Sequence, residues 1–291
     1  MGGLRPTRAV KRAWLPFLLA IWSGPTFAQV SDETAGDRFR ITLFHETESK
    51  GENGSSSSSS GGHEYIEEIT AVRADGVERI YDVPLEPESD ERLIAWQFPV
   101  HVLETNDGGI EVLNRDELEM RRDAWLEAAE IPEEACGTWY FTWNAFQVEC
   151  DPDAIVETIR AIKIQPDDML VGALFKHPAA HEPGQLMEGE EKGLGVVLSA
   201  HMLLNPDYIH RAEAESDVIV GQLMQEPISF EEAYAKRKAE RISGTIDVSL
   251  EADADGRVWK RTASITSEKT EVDGNVERSV STETVERQRL E

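Results

Sequence analysis

Basic residues are scarce in this chain: 29 Lys and Arg stand against 56 Asp and Glu, a formal charge of −27 over 291 residues. A surface this acidic repels phosphate backbones and anionic headgroups, so nucleic-acid and peripheral-membrane binding are set aside. Cysteine is nearly missing as well. Only Cys136 and Cys150 occur, fourteen positions apart. A thiol redox pair wants its sulfurs two residues apart, so this spacing favours one disulfide in an oxidising compartment. Closing a loop of that size contributes about 3 kcal/mol in the chain-entropy picture. Long apolar runs are missing beyond a single ten-residue stretch at 13–22.

Catalytic signatures are sparse too. The chain has no Gly-x-Ser-x-Gly nucleophile elbow, and Ser199 near His201 sits on an apolar run, where packing is the default reading. "EEKGLGVVL" holds Gly193 and Gly195 but lacks the third glycine and the lysine of a phosphate loop. No repeat of solenoid length occurs.

The one apolar stretch has a specific context. Arg5, Arg8, Lys11 and Arg12 precede it without an acid, Gly24 and Pro25 break it, and Thr26 and Ala28 supply small residues at a cleavage point. That is the layout of a secretory signal over residues 1–28. Ten residues rise only about 15 Å as a helix, half a bilayer's hydrocarbon thickness, so no stable membrane span is expected after cleavage before Gln29. Four of the 29 bases and none of the 56 acids lie in 1–28, which leaves −31 on residues 29–291. The expected location is periplasmic or secreted.

The remaining chain alternates between two textures. The first third reads as strands, with Phe39, Ile41 and Leu43 alternating, then Trp96, Phe98, Val100 and Val102, and with Asp-Gly turns at 75–76 and 107–108. "GENGSSSSSSGG" (51–62) has nothing apolar to bury and reads as a long, mobile loop. The middle reads as helical. Asn114 with Glu117, Asp151-Pro152, Asn205-Pro206 and Ser229 with Glu232 mark four helix starts. Between the first two lies "CGTWYFTWNAFQVEC", an aromatic hairpin stapled at its base. The last third is a meander turning at Asp255-Gly256 and Asp273-Gly274. The expected fold is α+β: antiparallel sheet or meanders from the N- and C-terminal thirds with a helical middle packed on one face. Residues 29–291 then form one exported domain, subdivided as 29–113 β, 114–242 mainly helical and 243–291 β-meander. The two β blocks either join into one sheet or stand apart.

Two stretches hint at metal chemistry. "KHPAAHEPG" places His177 and His181 one helical turn apart beside Glu182, with His201 or His210 available as a further zinc ligand. The zincin pattern, however, needs a glutamate where Pro178 stands, and Pro183 stops any helix, so a loop is the plainer reading. "EADADG" offers Glu251, Asp253 and Asp255 like half of a calcium loop, but the bidentate position is Thr262, and a hairpin turn suffices.

The leading expectation is a non-enzymatic ligand- or protein-binding or envelope protein without a cofactor. Trp96, Phe98, Trp139, Phe141 and Trp143 are its candidate ligand-binding residues, and its ligand or protein partner is unspecified. The alternative is a zinc-dependent hydrolase or metal-binding protein using His177, His181 and Glu182, with weak calcium capture by acidic turns as a further option. A third reading is purely structural, with acidity serving solubility.

Overall fold

The computed structural model describes residues 33–141, 145–164, 170–189, 195–253 and 256–290. The signal-like residues 1–28, Trp143, Gly193 and Asp255 lie outside them. The first third gives strands β1 (Arg38–Gly51), β2 (Ser56–Val72) and β3 (Gly76–Asp82), helix α1 (Asp90–Ile94), and strands β4 (Val100–Thr105) and β5 (Ile110–Val112). The middle gives α2 (Arg115–Ala128), the hairpin β6 (Trp139–Phe141) and β7 (Ala145–Gln147), and α3 (Ile155–Ile162). After these come the short strands β8 (Leu174–Phe175), β9 (Gly184–Gln185) and β10 (Met187–Glu188), then β11 (Val196–Leu203), α4 (Pro206–Leu223) and α5 (Phe230–Arg237). The chain closes with β12 (Arg241–Ala252), β13 (Val258–Thr270) and β14 (Val276–Arg289).

Ten strands form one antiparallel sheet among the described residues, in the order β10-β11-β12-β13-β14-β1-β2-β3-β4-β5. The N- and C-terminal β blocks therefore join, because β1 pairs with β14 from Phe39↔Arg289 to Gly51↔Glu277. The C-terminal meander forms as its alternation predicts. Ile242, Ile246, Val248 and Leu250 of β12 face the same side as Ile41, Tyr65, Tyr81, Val100 and Val102, as the registers require, and all enter one hydrophobic core. Leu118, Trp125 and Leu126 of α2 and Ile155, Ile159 and Ile162 of α3 complete that core.

Four details depart from the sequence reading. The serine-rich stretch is strand rather than loop: residues 51–55 turn, and β2 starts at Ser56. Its serines have no apolar partner, but their backbone pairs with β1 along the whole stretch. The strand expected through Trp96 and Phe98 begins only at Val100, after α1 and the turn that follows it. Asn114 stands at the N-cap position of α2 as read, with its Nδ2 3.2 Å from Glu117 Oε2, but its side chain accepts from no helix N–H. Its Oδ1 accepts from the His101 N–H and its Nδ2 donates to Pro99 O, so it fastens β4 instead. Finally, the mainly helical middle contributes β11 to the sheet. The other three starts are capped as read, with Asp151, Asn205 and Ser229 side chains accepting from N–H groups two or three residues on.

Not everything on the inward face is apolar. Glu67, Arg79 and Arg287 point the same way as Tyr65 and Tyr81 and are covered. Arg287 bonds both oxygens of Glu67, with Nε to Oε2 at 2.6 Å, and reaches Glu33 at 2.9 Å. Arg79 bonds Glu67 and also reaches Glu33, at 2.6 Å. Glu104 accepts the Tyr81 hydroxyl at 2.7 Å and approaches Arg79 and, at 3.9 Å, Lys163. Three carboxylates thus meet three cations. Burial pushes the Glu33 carboxyl up, but the charges of Arg79 and Arg287 outweigh that and hold it below the usual range.

A second cluster fixes α4 and α5 to the sheet, and it is not balanced. Lys269 donates to Glu213 at 2.8 Å and lies 3.5 Å from Glu277. Arg237 forks onto Asp217 at 2.7 and 2.8 Å and touches Glu240 at 3.1 Å and Glu213 at 3.3 Å. Burial, then the neighbouring Glu213 charge, raise the Glu240 carboxyl above its ordinary value.

Two expected outcomes follow from these clusters. Replacing Glu67 with Ala leaves two buried guanidiniums short of a carboxylate and should cost about 3–5 kcal/mol in urea unfolding at neutral pH. The pH dependence has two opposed limbs. Glu33, lowered on folding, contributes stability that is lost as pH falls through its folded value. Glu240, raised on folding, contributes stability that is lost as pH rises through its own. Glu240→Gln should therefore raise the melting temperature at neutral pH and flatten the limb that falls as pH rises, and an unchanged limb would refute this origin.

Candidate functional site

The histidine segment has a local role that its backbone explains. Residues 180–189 run along the outer side of β11. The His181 N–H donates to Leu203 O at 2.9 Å, Ala180 bridges Leu204, Met187 and Glu188 pair with Ser199 and Leu198, and the Gly189 N–H donates to Val197 O at 2.8 Å. At Gly184 an added Cβ would meet the His201 carbonyl at 3.1 Å and Met202 Cγ at 2.7 Å, so a side chain there would push the segment off. A short, proline-bracketed segment of this kind covers a sheet edge that would otherwise present unpaired backbone groups.

The imidazoles are engaged accordingly. His177 Nδ1 accepts from the Ala179 N–H at 3.2 Å. Burial lowers its pKa and the Arg261 charge lowers it further, against an opposing contribution from Glu283. Glu182 is exposed. The further ligands considered for zinc lie elsewhere: His201 Nδ1 is 2.7 Å from Asp247, and His210 Nε2 is 3.3 Å from Glu240 O. Among the described residues no three His, Cys, Asp or Glu side chains are grouped to hold a metal ion. Asp253 belongs to a tight turn, in which its N–H donates to Arg257 O and its carbonyl accepts from Gly256.

The five aromatic candidates divide into two groups. Trp96 is buried in the core and stacks on Trp125, with centroids 6.4 Å apart. Phe98 packs against the core and meets Tyr65 at 5.6 Å. Both steady the α1–β4 connection, whose Phe98 and Pro99 carbonyls accept from Arg121. Trp139, half-buried, belongs instead to the β6–β7 hairpin. Phe141 lies on β6, and its side chain, like Trp143, is outside the described set.

That hairpin is built from its base outward. Cys136 and Cys150 are joined by a disulfide with Cα atoms 5.6 Å apart. Above it the Gly137 N–H donates to Val148 O at 2.8 Å and the Val148 N–H to Thr138 O at 3.1 Å, with Val148 buried in the core. Pairing continues through Trp139↔Gln147 and Tyr140↔Phe146. Tyr140 and Phe146 stack at 6.0 Å with their ring planes 23° apart, and they remain 42% and 44% exposed. The sequence reading listed the tryptophans and Phe141 but passed over this pair. Cross-strand register was the missing information: only the Trp139↔Gln147 pairing puts Tyr140 opposite Phe146.

The hairpin's rigidity depends on its staple. Cys136→Ser/Cys150→Ser should lower stability by about 3 kcal/mol in denaturant unfolding under oxidising conditions. The same double variant should show no change in a reduced sample, where the parent has already lost the bond.

Comparison with known proteins adds little at this point. No protein-family model matches the chain, and no curated protein sequence matches it. Solved structures do align with it. One of them, a study of lipid–protein interactions in lipovitellin, aligns over 88% of this chain and 25% of its own, with a TM-score of 0.41 and 10% identity. The chain thus spans a quarter of that protein's length. A likeness of this degree assigns neither family nor function.

Proposed function

We propose that this chain is an exported, non-enzymatic binding protein that presents a disulfide-braced aromatic hairpin to its partner. The observation that supports the reading is the Tyr140–Phe146 stack, held in the open on an element tied down at both ends. Large rings with few rotatable bonds give contact area at low entropic cost, and bracing lowers that cost further. Trp139, half-buried on the same hairpin, would extend the contact. Trp96 and Phe98 serve as core packing. Helices α2, α3 and α4, laid over the inward sheet face, supply the platform, and hairpin strand β6 touches α4.

Charge narrows the partner. Glu133, Glu134, Glu149 and Asp151 flank the staple in sequence, and the chain as a whole carries −27. A cationic partner with exposed apolar surface fits both features, since opposite charge steers encounter and apolar contact holds the complex. The signal-like N-terminus and the disulfide agree with a periplasmic or secreted site of action. Among the described residues no helix is long and apolar enough to cross a membrane.

The test uses a short synthetic peptide of alternating arginine and tryptophan. Tyr140→Ser/Phe146→Ser removes two exposed rings and should leave the melting temperature within a degree or two. Binding of the peptide, followed by anisotropy of a label on the peptide, should weaken at least tenfold. Undiminished binding by the variant would remove the hairpin from the interaction.

A further inference from the structure

The sheet's two outermost strands are short and its β11 edge is covered, yet one long edge stands open inside it. Strand β3 pairs with β2 only as far as Ile66↔Asp82. Below that point residues 56–64 of β2 pair, among the described residues, with β1 alone. The direction of the free groups follows from the bonds nearby. Ile69 exchanges bonds with Asp37 O and the Gly36 N–H on the β1 side, and Ser55 O accepts from Gly51. Odd-numbered residues of β2 therefore turn their backbone groups to β1. The N–H and C=O of Ser56, Ser58, Ser60, Gly62 and Glu64 point outward.

Long flat edges are normally blunted by lysine, proline or a bulge. Residues 56–64 hold no lysine and no proline, and the register with β1 is unbroken there. They bury no apolar side chain of their own, and the large apolar group beside them on the outward side is the exposed Phe44 ring of β1, opposite Gly62. Thr47 meets Ser281 at 3.0 Å, and Ser49 meets Ser57 at 2.9 Å, on the inward side. The outward side presents Ser56, Ser58, Ser60 and Glu64, with Glu46 beside Ser60 and Glu48 beside Ser58 on β1. Glu46 and Glu48 are exposed and make no ion pair with a described residue.

We propose that residues 56–64 are a strand-addition site that takes an extended basic polypeptide segment as a further strand of the sheet. Backbone pairing with the five outward residues supplies the bonds. The serines and Gly62 are short enough for a lysine or arginine on the added strand to lie across β2 and reach Glu46 and Glu48 on β1. That places the cations over carboxylates that lack a partner, and the same charge pattern repels an acidic segment. A second copy of this chain meets the same repulsion, because each copy brings the −27 charge. The site uses none of the stapled hairpin's residues, so it stands or falls independently of the function proposed above.

The full chain is titrated with a capped octapeptide of alternating threonine and lysine, and in parallel with its threonine–glutamate counterpart. The lysine peptide should slow amide exchange in residues 56–64, and the glutamate peptide should not. Ser60→Pro removes an outward N–H without touching the bonds to β1, a substitution that sheet edges accept. It should weaken the lysine peptide at least tenfold with an unchanged melting temperature. Ser58→Pro takes its place if the first variant loses its melting transition. Glu46→Gln/Glu48→Gln should weaken binding several-fold and reduce its salt dependence. The proposal is overturned by absence of protection at millimolar peptide, by equal binding to both proline variants, or by equal binding of the glutamate peptide. It is equally overturned if residues 56–64 are already protected in the free chain with a doubled mass in sedimentation.

Discussion

The pairing of β1 with β14 is the constraint on which the rest of this structure depends. It joins the first and last strands among the described residues and makes two meanders into one sheet. Just inside that seam the buried Glu67 and Arg79 meet the half-buried Glu33 and Arg287, drawn from the segment before β1 and from β2, β3 and β14. A misregistered β14 would turn Arg287 to the open face and leave Glu67 buried beside one guanidinium, since a one-residue slip reverses every side chain. Buried ion pairs add little net stability over apolar residues of similar size, but breaking one is costly. Here that asymmetry falls on the contact made between the ends of the chain.

The same seam carries strands beyond the core. Past Leu43 and Tyr65, β1 and β2 bury no large apolar side chain, and the packing that specifies register elsewhere is absent. Ring and hydroxyl contacts take over part of that work. A Cβ on Gly61 would lie 2.7 Å from the His45 ring, and the Phe44 ring lies 3.4 Å from the corresponding point on Gly62, so β1's rings cover both faces of the paired glycines. The result is a polar extension whose edge is formed but unshared. At the opposite side of the sheet the segment containing His177 and His181 closes the edge of β11. One sheet therefore has a guarded border and an open one.

Much of this was legible in the residues. Alternation placed β12 to β14, the caps at Asp151, Asn205 and Ser229 opened their helical segments as read, and two cysteines in an otherwise cysteine-free chain gave the staple. Three features were not legible, each for a physical reason. The serine run reads as loop because pattern analysis weighs side-chain burial, whereas its strand is held by backbone bonds to β1. Asn114 reads as a cap because its type and spacing fit one, while β4 offers its amide better partners in the His101 N–H and the Pro99 carbonyl. Trp96 and Phe98 read as strand residues because they continue a real alternation, although the turn after α1 occupies its first positions. At the hairpin, composition announced aromatics, but only cross-strand register selected Tyr140 and Phe146 as the stacked, open pair.

Composition and local pattern were sufficient for properties that depend on neighbours within a few positions or on sums over the chain. Net charge, the turns and most helix starts are of that kind, because capping, turn chemistry and hydrophobic alternation act at short range. Tertiary structure decided what depends on distant partners. It brought Glu33 and Arg287 within 2.9 Å across 254 positions, laid the segment from Ala180 to Gly189 along the edge of β11, and ended β3 at Asp82, short of residues 56–64. These outcomes turn on strand register and on where each pairing stops, and both are set by contacts between segments that are far apart in the sequence.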